Sequence, residues 1–190
     1  MSPRQITVLG ECVADAFTEP ARARNELALR VLPGGGPANT AVALARLDTP
    51  ARFLARLSGD VFGRLFRAHL AASGVDLSHA VEAAEPSTLA VAELDAHGQA
   101  TFSFHAQATA DWQWTSAELA AVDLTDTTCV HTGSLALVKE PGAGVVEDFL
   151  AAAAPGPPSA STPTSAPSWY VPRSTVPGWR TGAASPMCCG

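Results

Sequence analysis

The chain has 190 residues, a formal net charge of −6 and an isoelectric point near 5.2. This length suits one medium α/β domain, and the acidic balance argues against a nucleic acid or an anionic membrane as partner, so a small polar solute fits better. No apolar run reaches the roughly 18 residues of a membrane span, and no signal-peptide core follows the N-terminus, so we expect a cytoplasmic protein. The four cysteines have no C-x-x-C spacing and are predicted to be free thiols.

The first structural element is a short apolar run, I-T-V-L-G at residues 6–10, which predicts a buried parallel strand. Asp15 follows it and is expected near the carboxyl-terminal edge of that strand, where open α/β sheets bind ligands. An Asp at this position also suits a turn or a helix cap, and the strand alone leaves both interpretations open. Residues 27–32 then alternate in polarity, which predicts a half-exposed strand.

Three glycines at positions 34–36 run straight into Pro37 and an apolar helical stripe. Glycine permits positive φ and close approach of the backbone to a ligand, and proline suits the first turn of a helix. The free amides of such a helix start bind either an anion or a row of sugar hydroxyls. The stretch lacks the Lys of G-x-x-x-x-G-K-[ST], and Asn39 breaks G-x-G-x-x-G. A purely structural glycine turn remains the alternative.

The next elements are predicted to continue an α/β alternation. Residues 51–57 form a strand, and Asp60 opens a helix that ends at Gly74. The helix is expected to bury a single apolar face, made of Val61, Phe62, Leu65, Phe66 and Leu70.

From Pro86 the apolar period changes to two, which predicts a hairpin of residues 88–94 and 100–104 that covers one side of the sheet as a lid. Thr115 and Glu118 form a capping box at a helix start, residues 128–131 form a strand, and residues 141–154 form a helix. The fold class is therefore α/β, a parallel sheet flanked by helices with a small β-lid.

These motifs together resemble the ribokinase-like sugar kinases, the PfkB carbohydrate kinase family, most closely its fructokinase and 2-keto-3-deoxygluconate kinase members. The resemblance covers about residues 5–154. It is carried by G-E at 10–11 with the later Asp15, G-G-G-P-A-N-T-A at 34–41, L-S-G-D-V-F-G at 57–63 and G-V-D at 74–76. The signature departs from the family at Asp48 and Ser58.

The resemblance implies that Asp15, Gly35, Gly36 and Asn39 bind the hydroxyls of a small-molecule sugar. It also implies that strands at about residues 17–32 and 86–104 form a lid over that sugar, and it leaves open a homodimer through the lid in the intact protein. His105, Gln107 and Asp111 follow the lid where family members often contact sugar, but the match is too loose to assign them. His131 is equally well read as a histidine at the edge of the core.

Family chemistry transfers the γ-phosphoryl group of ATP, with Mg²⁺, to a sugar hydroxyl. The family's catalytic base is an Asp in a G-A-G-D type motif far into the C-terminal half, where the nucleotide also binds. This sequence has no such segment, so we expect no catalytic residue, no ATP site and no metal site in this chain. The chain is expected to be inactive, and a non-enzymatic sugar-binding or regulatory module is the alternative. An unrelated α/β domain whose glycine turn binds phosphate or a nucleotide is the third reading.

The composition changes abruptly after Ala154. Residues 155–190 contain no Asp, Glu, Leu or Ile but hold eight of the fifteen prolines, which predicts a disordered tail following a domain at 1–154. Read one base out of frame, residues 160–168 can encode Ser-Phe-Asp-Pro-Asn-Val-Arg-Pro-Glu, which matches the family's next strand. We therefore interpret the tail as a frameshift product that replaces the catalytic half.

Overall fold

The centre of the molecule is a sheet of three parallel strands, in which β1 (Gln5–Leu9) lies between β4 (Ala51–Leu54) and β9 (Thr127–Thr132). It is seen in a computed structural model that describes residues 4–94 and 100–153. Helices cover both faces: α1 (Gly36–Arg46) and α2 (Val61–Ala72), then α3 (Ser116–Ala120) and α4 (Gly142–Ala153).

Neighbouring residues of β1 point into two separate apolar clusters, as the strand of a sheet covered on both faces must. Val8 packs with Phe53 and with the buried residues of α1 and α2. Leu9 packs with Leu54 and with the buried residues of α3 and α4. The predicted α/β architecture, parallel strands flanked by helices, is therefore confirmed.

A second sheet of four strands, in the order β3–β2–β7–β8, carries the lid. Its members are β2 (Val13–Glu19), β3 (Ala28–Gly34), β7 (Leu89–Leu94) and β8 (Ala100–His105). β7 and β8 pair antiparallel, as the hairpin prediction required, and its turn at residues 95–98 lies outside the described residues. β2 begins at Val13, so Asp15 lies inside a lid strand and not at the end of β1.

The predicted strand at residues 51–57 is wrong as a single element. It breaks at Ala55 into β4 and β5 (Arg56–Ser58), and β5 pairs in parallel with β6 (Val81–Ala83), a strand that the sequence analysis did not anticipate. The break follows from the length of β1, because its pairing with β4 stops at Leu54 and the chain then takes a different partner.

Helix α2 begins and ends where predicted, with Asp60 as its N-cap and Gly74 just beyond its C-cap. Its buried face is narrower than expected, because only Gly63, Phe66 and Leu70 are buried. The prediction that Val61 and Leu65 belong to the core is wrong, since they are 61% and 37% exposed. Val61 lies in the first turn on the solvent side, whereas Gly63 in the same turn packs against the backbone of Ser58.

The amino-terminal end of the central sheet is tied together by the buried side chain of Arg52. Its Nε donates to Asp76 Oδ2 (3.2 Å), and its two Nη groups donate to Asp126 Oδ2 (3.0 Å) and to the carbonyl of Asp123 (2.9 Å). Asp126 also accepts from Gln5 Nε2 at 2.9 Å. Among the described residues, no helix is long and apolar enough to cross a membrane.

Candidate functional site

The glycine turn lies at the carboxyl end of the central sheet. Gly34 ends β3, Gly35 is the N-cap residue of α1, and Gly36 is the first helical residue. The turn adjoins β1 because a Cβ on Gly10, directly after that strand, would overlap the ring of Pro37. No side chain caps α1, so the backbone amides of Gly36 and Ala38 in its first turn remain for a ligand.

Two of the glycines have no free space for a Cβ. Gly35 has φ of +100°, and a Cβ there would lie 2.6 Å from the backbone oxygen of Glu11. A Cβ on Gly34 would overlap the carboxylate of Asp15. Gly36 is different, because the nearest atom to its added Cβ would be Ser134 Cβ at 3.7 Å. The turn is therefore packed from beneath and open at Gly36.

Asp15 lies over this turn. Its carboxylate contacts Gly34, and its neighbours across the lid sheet are Leu32 on β3 and Ala90 on β7, with Phe104 beyond Ala90. Residues paired across strands share a face, so Asp15 is the acidic group in an apolar row. Burial in these surroundings raises the pKa of Asp15 above its usual value of 3.8.

Asn39 lies one turn into α1, and its backbone amide donates to the carbonyl of Gly35 at 2.9 Å. Its side chain is exposed, and no hydrogen bond to it is found within the described part of the chain. The structure thus brings Asp15, Gly35, Gly36 and Asn39 to one end of the central sheet. The carboxylate comes from the lid, and the other three come from the turn and the helix start.

Ser134 is a neighbour of the turn that the sequence analysis missed. It follows Gly133 after β9, has a φ of +62°, and is exposed beside Gly36. The pairing of Leu9 with Thr132 brings the ends of β1 and β9 to the same edge. The strand predicted at residues 128–131 indicates that a loop follows it, but the sequence does not show that this strand pairs with β1.

His105 and Gln107 do not join the turn. They line a cleft of about 510 Å³, between the end of β8 and the start of α2, together with Asp60, Phe62 and Phe104. The register places His105 opposite Leu89, on the face of the lid sheet opposite to that of Asp15. His131 lies in β9, where it is half-buried.

Asp111 is only 3% exposed, and both of its carboxylate oxygens have partners. Oδ1 accepts from the backbone amide of Cys12 at 3.0 Å, and Oδ2 accepts from Thr88 Oγ1 at 2.6 Å. Burial is the main reason that its pKa is raised, to about 6, although these hydrogen bonds oppose the shift. Its neighbour Glu11 is 2% exposed, and the Oε2 atom of Glu11 has no hydrogen-bond partner among the described residues.

A parallel α/β sheet with a glycine turn at its carboxyl end and a β-lid above it defines a ribokinase-like fold. The chain belongs to the pfkB family of carbohydrate kinases, whose family model matches residues 3–168. Within residues 4–94 and 100–153, no group of three or more His, Cys, Asp or Glu side chains is arranged to hold a metal ion.

Curated relatives include fructokinases from Klebsiella pneumoniae and Vibrio alginolyticus. The first is 39% identical over 108 residues, which is 56% of this chain and 34% of the relative. The second is 34% identical over 138 residues, 72% of this chain and 43% of the relative. The chain therefore spans well under half the length of these two relatives.

Solved structures give the same picture. The fructokinase from Xylella fastidiosa superimposes with a TM-score of 0.71 at 29% identity, over 77% of this chain and 46% of that one. The fructokinase from Vibrio cholerae O395, in its fructose, ADP and calcium ion bound form, gives a TM-score of 0.63 at 27% identity, over 80% and 47%.

Proposed function

We propose that this chain is the sugar-binding half of a fructokinase-like kinase, and that it binds a fructose-like sugar without transferring phosphate to it. The observation that carries the proposal is the contact of the Asp15 carboxylate with Gly34, which joins a lid strand to the helix start at the carboxyl end of the sheet. Ligands of open α/β sheets bind at this edge.

The chemistry of the four residues suits a polyhydroxyl compound. The ionised carboxylate of Asp15 accepts hydrogen bonds, and the first backbone amides of α1 donate them. The side-chain amide of Asn39 both donates and accepts. A sugar hydroxyl is both donor and acceptor, so it pairs with every member of this set. Leu32, on the same face of the lid as Asp15, offers apolar surface to the carbon skeleton.

Phosphoryl transfer needs more than this set supplies. A base must accept the proton of the sugar hydroxyl, and positive groups must stabilise the transferred phosphoryl. Asp15 is committed to the substrate, and Asp111 is buried with both oxygens occupied. The family resemblance implies ATP and Mg²⁺ for the complete family member, with the residues that bind them in its C-terminal half. We therefore expect no kinase activity from the chain.

The boundary at residue 154 and the frameshift origin of residues 155–190 belong to the same proposal. They are supported by the loss of acidic residues and of Leu and Ile after that point, and by the family-like strand in the alternative reading frame. The family model matches as far as residue 168, so the boundary stays a prediction. The coding DNA tests it, because a stop codon or no G-A-G-D motif in the alternative frame would contradict it.

Pairing of two chains through their lids is proposed for the intact protein. The support is the apolar surface of the lid strands, where Phe102 is 65% exposed and Leu29 and Phe104 are also exposed. A monomer in sedimentation equilibrium of the intact protein would contradict it.

Isothermal titration of the purified chain with fructose tests the function. We expect saturable binding by the wild type, loss of it in Asp15→Ala and Asn39→Ala, and no change in Arg46→Ala, an exposed residue in the last turn of the same helix. An ATP-coupled assay on the same samples should show no product. Equal affinity in all four proteins would contradict the site, and a phosphorylated sugar would contradict the missing-base argument.

A further inference from the structure

Asp111 lies where both strands that lead into the lid begin. It belongs to a short 3₁₀ helix (Ala110–Trp112) that follows β8, and its side chain reaches across to the loop after β1. The backbone amide of Cys12, one residue before β2, donates to Oδ1 at 3.0 Å. The hydroxyl of Thr88, one residue before β7, donates to Oδ2 at 2.6 Å. One carboxylate therefore bridges the starts of β2 and β7.

Three further contacts complete this buried cluster. The amide of Ala14 donates to the carbonyl of Thr88 at 2.9 Å, so the two strands are also joined directly. The hydroxyls of Thr88 and Thr109 lie 2.6 Å apart. On the other side, a Cβ on Gly35 would lie 2.6 Å from the Glu11 carbonyl oxygen and 3.3 Å from Cys12 Cα. Residues 11–12 are thus held between Asp111 and the glycine turn.

We propose that Asp111 is a positioning residue of the sugar site, which fixes residues 11–12 and so sets the distance between the Asp15 carboxylate and the amides of the glycine turn. This inference rests on the proposed function. Asp15 lies three residues beyond Cys12 on β2, and Gly35 packs against the same two residues. Movement of residues 11–12 would therefore separate the acceptor from the donors of the site.

A carboxylate is a costly choice at this position, which supports a role beyond packing. Other acidic groups lie close by: besides burial, the charge of Glu11 helps to raise the pKa of Asp111. Burial is also the larger cause of the raised pKa of the Cys12 thiol, and the charges of Asp111 and Asp15 add to it. Desolvation and like charge both disfavour ionisation. An ionised carboxylate nevertheless supplies two acceptors, one for a backbone amide and one for a hydroxyl, which no apolar residue of that size provides.

Three variants separate positioning from general destabilisation. Asp111→Ala removes both acceptors. Asp111→Asn keeps a carbonyl oxygen for the Cys12 amide, and its NH₂ group donates to Thr88, whose hydroxyl then donates to Thr109. Asp126→Ala is the matched control, because it removes an aspartate at the opposite end of the sheet that also accepts two hydrogen bonds, both at Oδ2.

The first readout needs no sugar. Hydrogen exchange of the Cys12 and Ala14 amides is measured by NMR in the free chain, at a temperature where each variant is fully folded. We expect Asp111→Ala to accelerate exchange at both amides at least tenfold, with Asp111→Asn and Asp126→Ala within about threefold of wild type. Unchanged exchange in Asp111→Ala overturns the bridge.

The second readout is fructose affinity on the same samples. We expect at least tenfold weaker binding in Asp111→Ala, with rescue to within about threefold in Asp111→Asn and no change in Asp126→Ala. Equal weakening in Asp126→Ala, or none in Asp111→Ala, overturns the positioning role. Absence of fructose binding in the wild type contradicts the proposed function, whereas the exchange rates still decide whether Asp111 holds residues 11–12. If Asp111→Ala does not fold, Thr88→Val takes its place, because it removes the hydroxyl that donates to Asp111 Oδ2. Faster exchange of the Cys12 amide in Thr88→Val supports the bridge, and unchanged exchange overturns it.

Discussion

Replacement of Gly35 by alanine should destabilise the chain more than the same replacement at Gly36 or at Gly144. Gly35 has φ of +100° and ψ of 131°, a conformation that side chains with a Cβ rarely adopt. The added Cβ would also lie 2.6 Å from the backbone oxygen of Glu11 and 3.2 Å from its carbonyl carbon. Neither atom belongs to a flexible side chain, so the backbone itself has to move.

The two effects add. Backbone strain of this kind costs about 1–3 kcal/mol, and forcing an extra carbon into a packed site costs about 1–3 kcal/mol. We expect a total loss of about 3 kcal/mol, in the lower part of the summed range, because one shift of residues 11–12 relieves part of both costs. Small domains have only about 5–15 kcal/mol of total stability, so such a loss is a large fraction of it.

Two controls carry the same chemical change. Gly144→Ala lies at an exposed position of α4 with nothing within 4 Å of the new Cβ, so it should gain about 0.5–1 kcal/mol from helix propensity. Gly36→Ala places its Cβ 3.7 Å from Ser134, which is ordinary contact, and should keep wild-type stability.

Urea unfolding followed by circular dichroism measures all three, with midpoints compared at constant slope. A Gly35→Ala midpoint equivalent to less than about 0.5 kcal/mol of destabilisation would refute the reasoning, since that is the range of a neutral surface change.

Three other predictions concern the same chain. The pKa of Asp111 is raised from 3.8 to about 6 in the folded chain, so the native state binds the proton more tightly than the unfolded state does. The contribution of Asp111 to stability therefore falls as the pH rises from about 4 to above 6. The unfolding free energy of Asp111→Asn minus that of wild type should therefore rise between pH 4 and pH 7, by up to about 3 kcal/mol at 1.36 kcal/mol per pKa unit, and a flat difference in urea titrations would contradict this. Asp60→Ala should cost about 1–2 kcal/mol, because Asp60 Oδ1 caps α2 through the Gly63 amide and Asp60 also accepts from the Ser87 amide and hydroxyl. Asp60→Asn should recover only part of this loss in thermal melts, because it keeps one acceptor oxygen and its NH₂ group would face one of the two backbone donors. The chain should bind an apolar dye and melt at a low temperature, because within the described residues β9 is a sheet edge and the lid exposes Phe102; a high melting temperature with little dye fluorescence would count against that.

Local signals in the sequence were enough to place the helix ends. Asp60 caps α2, and Thr115 with Glu118 forms the predicted capping box, because the partners in each motif lie within three residues of each other. The lid hairpin could also be predicted, because polar and apolar residues alternate along two strands that are neighbours in the sequence. The glycine turn was recognised because the positive φ at Gly35 demands glycine.

Contacts between distant residues were not accessible in this way. The break at Ala55 depends on which strand each half of residues 51–57 pairs with, and nothing in that stretch specifies the partner. The role of Asp111 depends on Cys12, which lies 99 residues earlier in the chain. Its sequence neighbourhood gives no indication that the carboxylate is buried, so a direct sugar contact and an internal bridge could not be distinguished.

The most direct test of the sugar-binding half is an NMR titration of the uniformly ¹⁵N-labelled chain with fructose. We expect saturable shifts in the backbone amides of Asp15, Gly35, Gly36 and Asn39, with the amides around Asp126 unmoved. Shifts that do not saturate, or that arise only around the cleft at His105 and Gln107, would contradict it.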